Sequence, residues 1–305
     1  MRRPRASLFA FACYVFGSAL IAVTSIWGEG LSNPPGKGLP AQRIISLAPH
    51  LTELLFAAGA GDKVIAAVDY SDYPLAARRL PRVGDAAHLD LERIVALDPD
   101  LVIAWKSGTS QEVIARLRKL GINVYESDLH AMEDIAGELR TLGRRAGTER
   151  TAAIAAENFD RRLASLRAEY KRRETVSVFI QIWERPLMTV GGRHIISDAL
   201  KICGGKNPFG DLQSVAPTVS IEAVLKADPQ AIVGDIPVAE LSEQWSRWPE
   251  LRAVRLAHVY TIPAELIARP TPRMLDGVER LCAIMDDVRE NRARADGDAV
   301  SEAPH

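Results

Sequence analysis

The chain has 305 residues, 47% hydrophobic and 25% charged, which is long enough for two separately cored lobes. Its formal net charge of −1 leaves no basic footprint for nucleic acid, and charged runs such as Lys171-Arg172-Arg173-Glu174 are short and of mixed sign.

Residues 1–30 read as a targeting segment. Arg2, Arg3 and Arg5 precede an uncharged apolar run, Leu8–Val23, and Gly28–Pro40 is rich in Gly and Pro. This is the pattern of a secretory signal peptide followed by a linker, here residues 31–40. The apolar run is slightly long, so an uncleaved N-terminal anchor is the alternative. Ala10-Phe11-Ala12-Cys13 looks like a lipoprotein site but comes before a full apolar region. After residue 41 no run is apolar for long enough to span a bilayer.

From Arg43 short apolar runs alternate with helical patterns. Arg43–Leu47, Val64–Ala67, Leu101–Ala104 and Asn123–Tyr125 read as strands. Thr52–Ala58 and Glu112–Leu120 read as helices, closed by Gly59 and Gly121. From Ala131 to Arg173 the alternation stops. Ala152, Ala155, Ala156, Phe159, Leu163 and Leu166 recur at helical spacing and Pro is absent, which predicts one long helix. Strands restart at Val176–Ile182, and Arg273–Val288 is a closing helix. The fold class is α/β: two Rossmann-like lobes with parallel sheets, joined by a single long backbone helix. The boundaries are 41–145 for the N-terminal lobe, 146–173 for the connecting helix, 174–290 for the C-terminal lobe and 291–305 for a disordered tail.

An internal repeat supports two lobes on one plan. Asp90-Leu-Glu92-Arg-Ile-Val-Ala-Leu-Asp-Pro-Asp-Leu-Val-Ile103 matches Ser220-Ile-Glu222-Ala-Val-Leu-Lys-Ala-Asp-Pro-Gln-Ala-Ile-Val233 without a gap. Each copy reads as a capped helix, an Asp-Pro turn and a buried strand. Outside the targeting segment the cysteines are Cys203 and Cys282, an even pair in an oxidising compartment, which predicts a disulfide.

Familiar catalytic motifs are missing: no Gly-x-Ser-x-Gly, no His-Glu-x-x-His and no P-loop occurs. His50, His88, His130, His194, His258 and His305 are scattered, and none pairs at the spacing that would suit a metal on a helix face. No resident metal or cofactor is expected. The informative residues are aromatic groups in loops after strands, where open α/β sheets bind ligands. Tyr70 and Tyr73 follow Val64–Ala67, Trp105 follows Leu101–Ala104, and Trp183 follows Val176–Ile182. Tyr70, Trp105 and Trp183 suit stacking on a broad, flat, partly apolar ligand, while Tyr73, before Pro74, suits a turn anchor.

The segments Asp69-Tyr-Ser-Asp-Tyr-Pro74, Leu91-Glu-Arg-Ile-Val-Ala-Leu97, Pro99-Asp-Leu-Val-Ile-Ala-Trp105 and Cys203-Gly-Gly205 carry a resemblance. Over roughly residues 41 to 288 the chain resembles the periplasmic cobalamin-binding proteins of bacterial ABC importers, in the helical-backbone class of substrate-binding proteins. The resemblance implies a monomeric, non-enzymatic binder of cobalamin or a related corrinoid. Its partners would be a membrane permease and its ATPase. Tyr70 and Trp105 match aromatic positions of the corrin cleft, and Arg269 matches a polar one. Glu92 and Glu222 match acids that meet permease arginines, and each also sits where it would stabilise a helix N-terminus. Cys203 and Cys282 match a disulfide pair.

The chain departs from the family pattern at Ala86 and Ala216, where cobalamin binders carry Trp, and at Ile182 and Met188, where they carry Phe. His88 lies in one altered loop and is a candidate axial ligand to a ligand-borne metal. Haem is the alternative ligand, with Tyr70 and His88 as candidate iron ligands. A ferric siderophore would call on Lys106, Arg193 and Arg269. Outside this class, a metal-cluster enzyme would need more cysteines than Cys203 and Cys282, and an anchored sensor or scaffold without a transport role remains the other reading.

Overall fold

The computed structural model describes residues 39–301; the expected targeting segment, most of the linker, Cys13 and residues 302–305 lie outside them. In the first lobe the short apolar runs form β1 (Ile44–Ser46), β2 (Val64–Ala67), β3 (Leu101–Trp105) and β4 (Val124–Ser127). Between them lie α1 (Pro49–Ala57), α2 (Leu91–Ala96) and α3 (Gln111–Lys119). Helix α1 begins at Pro49 rather than Thr52, because proline in the first helical turn loses no intrahelical bond.

The stretch expected as one long helix is two antiparallel ones, α4 (Met132–Ala146) and α5 (Glu149–Tyr170). Gly147 breaks it: at φ +67 it turns left-handed, and its N–H closes α4 on the Gly143 carbonyl. Gly143 also lets α5 approach, since a Cβ there would stand 2.3 Å from the Ala152 methyl. Ion pairs Arg140–Asp160, at 2.7 Å, and Arg167–Glu133 clip the hairpin together. The connector between the lobes is therefore α5, buttressed along its length by α4.

The second lobe contains β5 (Val176–Ile180), α6 (Ile195–Ile202), β6 (Gly205–Lys206), α7 (Ile221–Ala227), β7 (Ala231–Gly234), α8 (Val238–Trp245), α9 (Arg252–Arg255), β8 (Val259–Thr261), α10 (Ala264–Ile267) and α11 (Met274–Ser301). Helix α11 runs past the expected end at Val288 and through most of the expected tail. Residues 289–294 are dominated by helix-forming Arg, Glu and Ala, with Arg294 and Glu290 paired one turn apart.

Both sheets are parallel and have one strand order, β2-β1-β3-β4 and β6-β5-β7-β8. The repeat is visible atom by atom. Asp90 Oδ1 accepts from the Arg93 N–H at 2.9 Å, and Ser220 Oγ accepts from the Ala223 N–H at 3.3 Å. Asp98 and Asp228 both take left-handed φ, 45° and 39°, before their prolines. Asp100 then accepts from the N–H groups of Gln42 and Arg43, and its counterpart Gln230 accepts from that of Ser177, so each repeat pins the central strand of its sheet.

One apolar core runs through both lobes. It joins α1, β1, α4 and α5 to β5, α6 and α11 without interruption, while each sheet has a separate core on its other face. The Cys203–Cys282 disulfide is formed and fastens the end of α6 to α11. Among the described residues no helix is long and apolar enough to cross a membrane.

Candidate ligand cleft

In a parallel sheet of this order, the crevice opens at the carboxyl ends of the strands where the chain order reverses, between β1 and β3. A cleft of about 330 Å³ lies there, lined by Pro49, His50, Tyr70, Ala86, Trp105 and Gly108 among others. At the equivalent ends of β5, β7 and β8 the second lobe has a smaller apolar pocket, about 120 Å³, with Ile182, Ile196, Ile262 and Ile267 in its wall. Larger grooves of about 660 and 710 Å³ are walled by charged side chains such as Glu184, Glu240, Arg167 and Lys201. Ligand pockets are mostly apolar with a few placed polar groups, which favours the strand-end cleft.

Trp105 ends β3 and is fixed on three sides. Its N–H donates to Thr109 Oγ1 at 3.1 Å, and its carbonyl accepts from the Gly108 and Thr109 N–H groups. Its ring lies directly on Gly108, where a Cβ would come within 1.9 Å of it. It meets the His50 ring in a T-shaped contact, ring centroids 5.3 Å apart at 88°. The indole is still 39% exposed, a fixed aromatic surface open to the cleft.

Tyr70 is presented differently. Its backbone sits at φ 62°, a conformation that side-chain-bearing residues resist, and the residue is 77% exposed. The surrounding loop is held from below. Ser46, Thr52 and Ser71 join their hydroxyls in a buried chain at 2.9 and 3.0 Å, and Arg82 donates to the carbonyls of Val68 and Ser71. From the other lobe, Arg269 donates to Asp72 at 2.6 Å and to the Tyr70 carbonyl at 3.3 Å. Arg269 depresses the Asp72 carboxyl against the opposing effect of burial. A second arginine of the same segment, Arg273, donates twice to buried Glu53, at 2.7 Å each, and lies 3.7 Å over the Tyr73 ring. Tyr73 thus serves the contact between lobes.

The structure brings Tyr70, Trp105 and Ala86 into one cleft, with Arg269 clasping the Tyr70 loop. It leaves His88 outside the lining: its side chain is 91% exposed, and it stays near Asp85, whose carboxylate accepts its N–H. Trp183 is exposed beyond β5, and its indole N–H donates to the Arg185 carbonyl. Glu92 and Glu222 are exposed in the first turns of α2 and α7. Of the cations considered for a siderophore, Lys106 is paired with Asp128 and Arg269 with Asp72.

Sequence reasoning missed His50, Asp69, Asp72 and Glu53. His50 was within reach of the rule that found Trp105, since Leu47-Ala48-Pro49-His50 directly follows a strand. It is 6% exposed, and burial together with Arg269 lowers its pKa from 6.5 to about 4. Its Nε2 has no hydrogen-bond partner among the described residues.

A family model described as periplasmic binding protein matches residues 44–266. The chain is 39% identical over 250 residues to the vitamin B12-binding protein of Vibrio cholerae serotype O1, covering 82% of this chain and 91% of that protein. The corresponding protein of Yersinia pestis is 36% identical over 254 residues, covering 82% and 89%. The crystal structure of the Vibrio cholerae periplasmic vitamin B12 binding protein superposes with a TM-score of 0.78, at 39% identity, over 82% of this chain and 98% of that one. A periplasmic haem-binding protein of Pseudomonas aeruginosa has the same fold, with a TM-score of 0.70 at 25% identity over 80% and 92% of the two chains.

Proposed function

The chain belongs to the periplasmic binding protein family, and from that premise we propose that it captures cobalamin or a closely related corrinoid between its lobes and delivers it to the permease and ATPase of an ABC importer. The role is capture, not catalysis, and its place is the periplasm. The observation that carries the ligand assignment is the cleft with two presented aromatic rings, Tyr70 and Trp105, in a chain 39% identical to a vitamin B12-binding protein along most of its length. A corrin is broad and flat, and rings held on a rigid loop and a strand end bind such a face with little ordering cost. Ala86 widens the wall where the family carries an indole, so the cleft has room for a ligand seated differently from that of the relatives. His88 is given no ligand contact in this reading.

Delivery requires docking, and Glu92 and Glu222 are the proposed contacts. They occupy one place in two copies of the same helix, one per lobe, and both are exposed. Ser220 and the backbone hold the Glu222 carboxyl below its ordinary range, so it carries its charge throughout the physiological range. The double reversal E92K/E222K is expected to abolish stimulated cyanocobalamin uptake by vesicles containing the cognate permease and ATPase, while cyanocobalamin binding survives. Undiminished uptake would overturn the docking assignment; loss of binding itself would assign these residues a structural role.

A further inference from the structure

His50 packs against Trp105, but no contact with the ligand has been given to it so far. It occupies the first turn of α1, at the carboxyl end of β1, and its ring lines the cleft against Trp105. A buried polar atom without a partner is destabilising, and native structures satisfy such atoms or use them. Its Nε2 is one of these. The χ2 torsion of histidine is broad and nearly two-fold, so a turn of the ring exchanges its nitrogen-bearing edges at little torsional cost.

The charges around the ring set what that group can be. Asp69 and Asp85 line the same cleft. Arg269, the cation whose charge acts on His50, is already matched by Asp72 at 2.6 Å. With its pKa lowered to about 4, the imidazole is neutral in the periplasmic range and brings no positive charge to the wall. The wall is therefore unfavourable to carboxylates and favourable to neutral edges bearing N–H donors.

We infer that His50 is a specificity-determining contact, whose imidazole hydrogen-bonds a primary carboxamide on the rim of the ligand and which, with Asp69 and Asp85, selects amide-rimmed over carboxylate-rimmed macrocycles. The inference rests on the corrinoid reading above. Corrinoids of the cobalamin type carry carboxamide arms; haem carries propionate carboxylates.

The test compares cyanocobalamin with dicyanocobyrinic acid, a corrinoid whose arms end in carboxylates, by fluorescence titration of the full chain and its variants. Wild type is expected to prefer cyanocobalamin. His50→Ala should weaken cyanocobalamin by about three- to tenfold, the size of one hydrogen bond, and weaken the carboxylate analogue less. His50→Gln, which keeps an amide donor and acceptor, should recover most of the loss, and melting curves identify any variant that fails to fold. Equal weakening of both ligands, or no weakening of either, would overturn the assignment to His50. A wild-type protein that binds haemin and neither corrinoid would instead overturn the corrinoid reading, and this contact with it.

Discussion

Tyr70 carries its ring into the cleft from a backbone conformation that costs the folded chain free energy. A side-chain-bearing residue at φ 62° is held there by its surroundings, here Arg82, the hydroxyl chain beneath and Arg269 from the other lobe. If the conformation serves ligand presentation, glycine and alanine should separate stability from binding. Tyr70→Gly should be more stable than Tyr70→Ala by about 1 kcal/mol, because only glycine adopts this φ without penalty. Both should weaken cyanocobalamin. Chemical denaturation and ligand titration of the pair check this, and an alanine variant as stable as the glycine one would contradict it. At this scale the sequence was informative where a residue type was unusual for its place: Tyr70 and Trp105 stood out as aromatic groups after strands. His50 did not. It lies between the apolar run that ends at Leu47 and the helical pattern that begins at Thr52, and it has no histidine partner at metal-binding spacing. What marks it out is burial and a missing partner, which only packing reveals.

Two histidines sit at helix N-termini. His50 stands in the first turn of α1 and His194 caps α6, accepting the Ile196 N–H on Nδ1 at 3.1 Å. Burial lowers both from 6.5 to about 4, aided by Arg269 at His50 and by His130 at His194. A cap that accepts through Nδ1 is lost on protonation, and a helix N-terminus disfavours an added positive charge. The unfolded chain takes up these protons near pH 6.5 and the folded chain only near 4, so the unfolded state binds more protons between the two values. The stability these two groups contribute is therefore complete above about pH 6.5 and is lost as the pH drops towards 4. Thermal melts at pH 7 and pH 4.5 should show this fall, and His194→Asn, which retains an N-cap acceptor without the titration, should reduce it. A melt unchanged across the window would contradict the assignment. The elements themselves were largely legible: the strands and the two repeat helices have short apolar runs, caps and Asp-Pro turns written locally. The α4–α5 break was not, because Gly147 sits in an Ala- and Arg-rich stretch whose composition favours helix on both sides.

At the scale of the whole molecule, the lobes are not free bodies on a hinge. One apolar core passes through both, α4 supports the connecting helix, and Arg269 and Arg273 reach from the second lobe to Asp72 and Glu53 in the first. These partners lie 197 and 220 residues apart in the chain, so no local pattern could have paired them, whereas the gapless repeat announced two lobes on one plan. Two carboxylates and two guanidiniums between lobes, with buried Glu53 only 3% exposed at its side chain, favour a cleft already formed before ligand arrives. In the proposed function this preformed cleft takes a corrinoid. Parallel calorimetric titration of the protein with cyanocobalamin and with haemin decides between the two ligands. Cyanocobalamin should bind saturably at one site per chain, and haemin more weakly or not at all. Tight binding of haemin by a chain that leaves cyanocobalamin free in solution would contradict the proposed function.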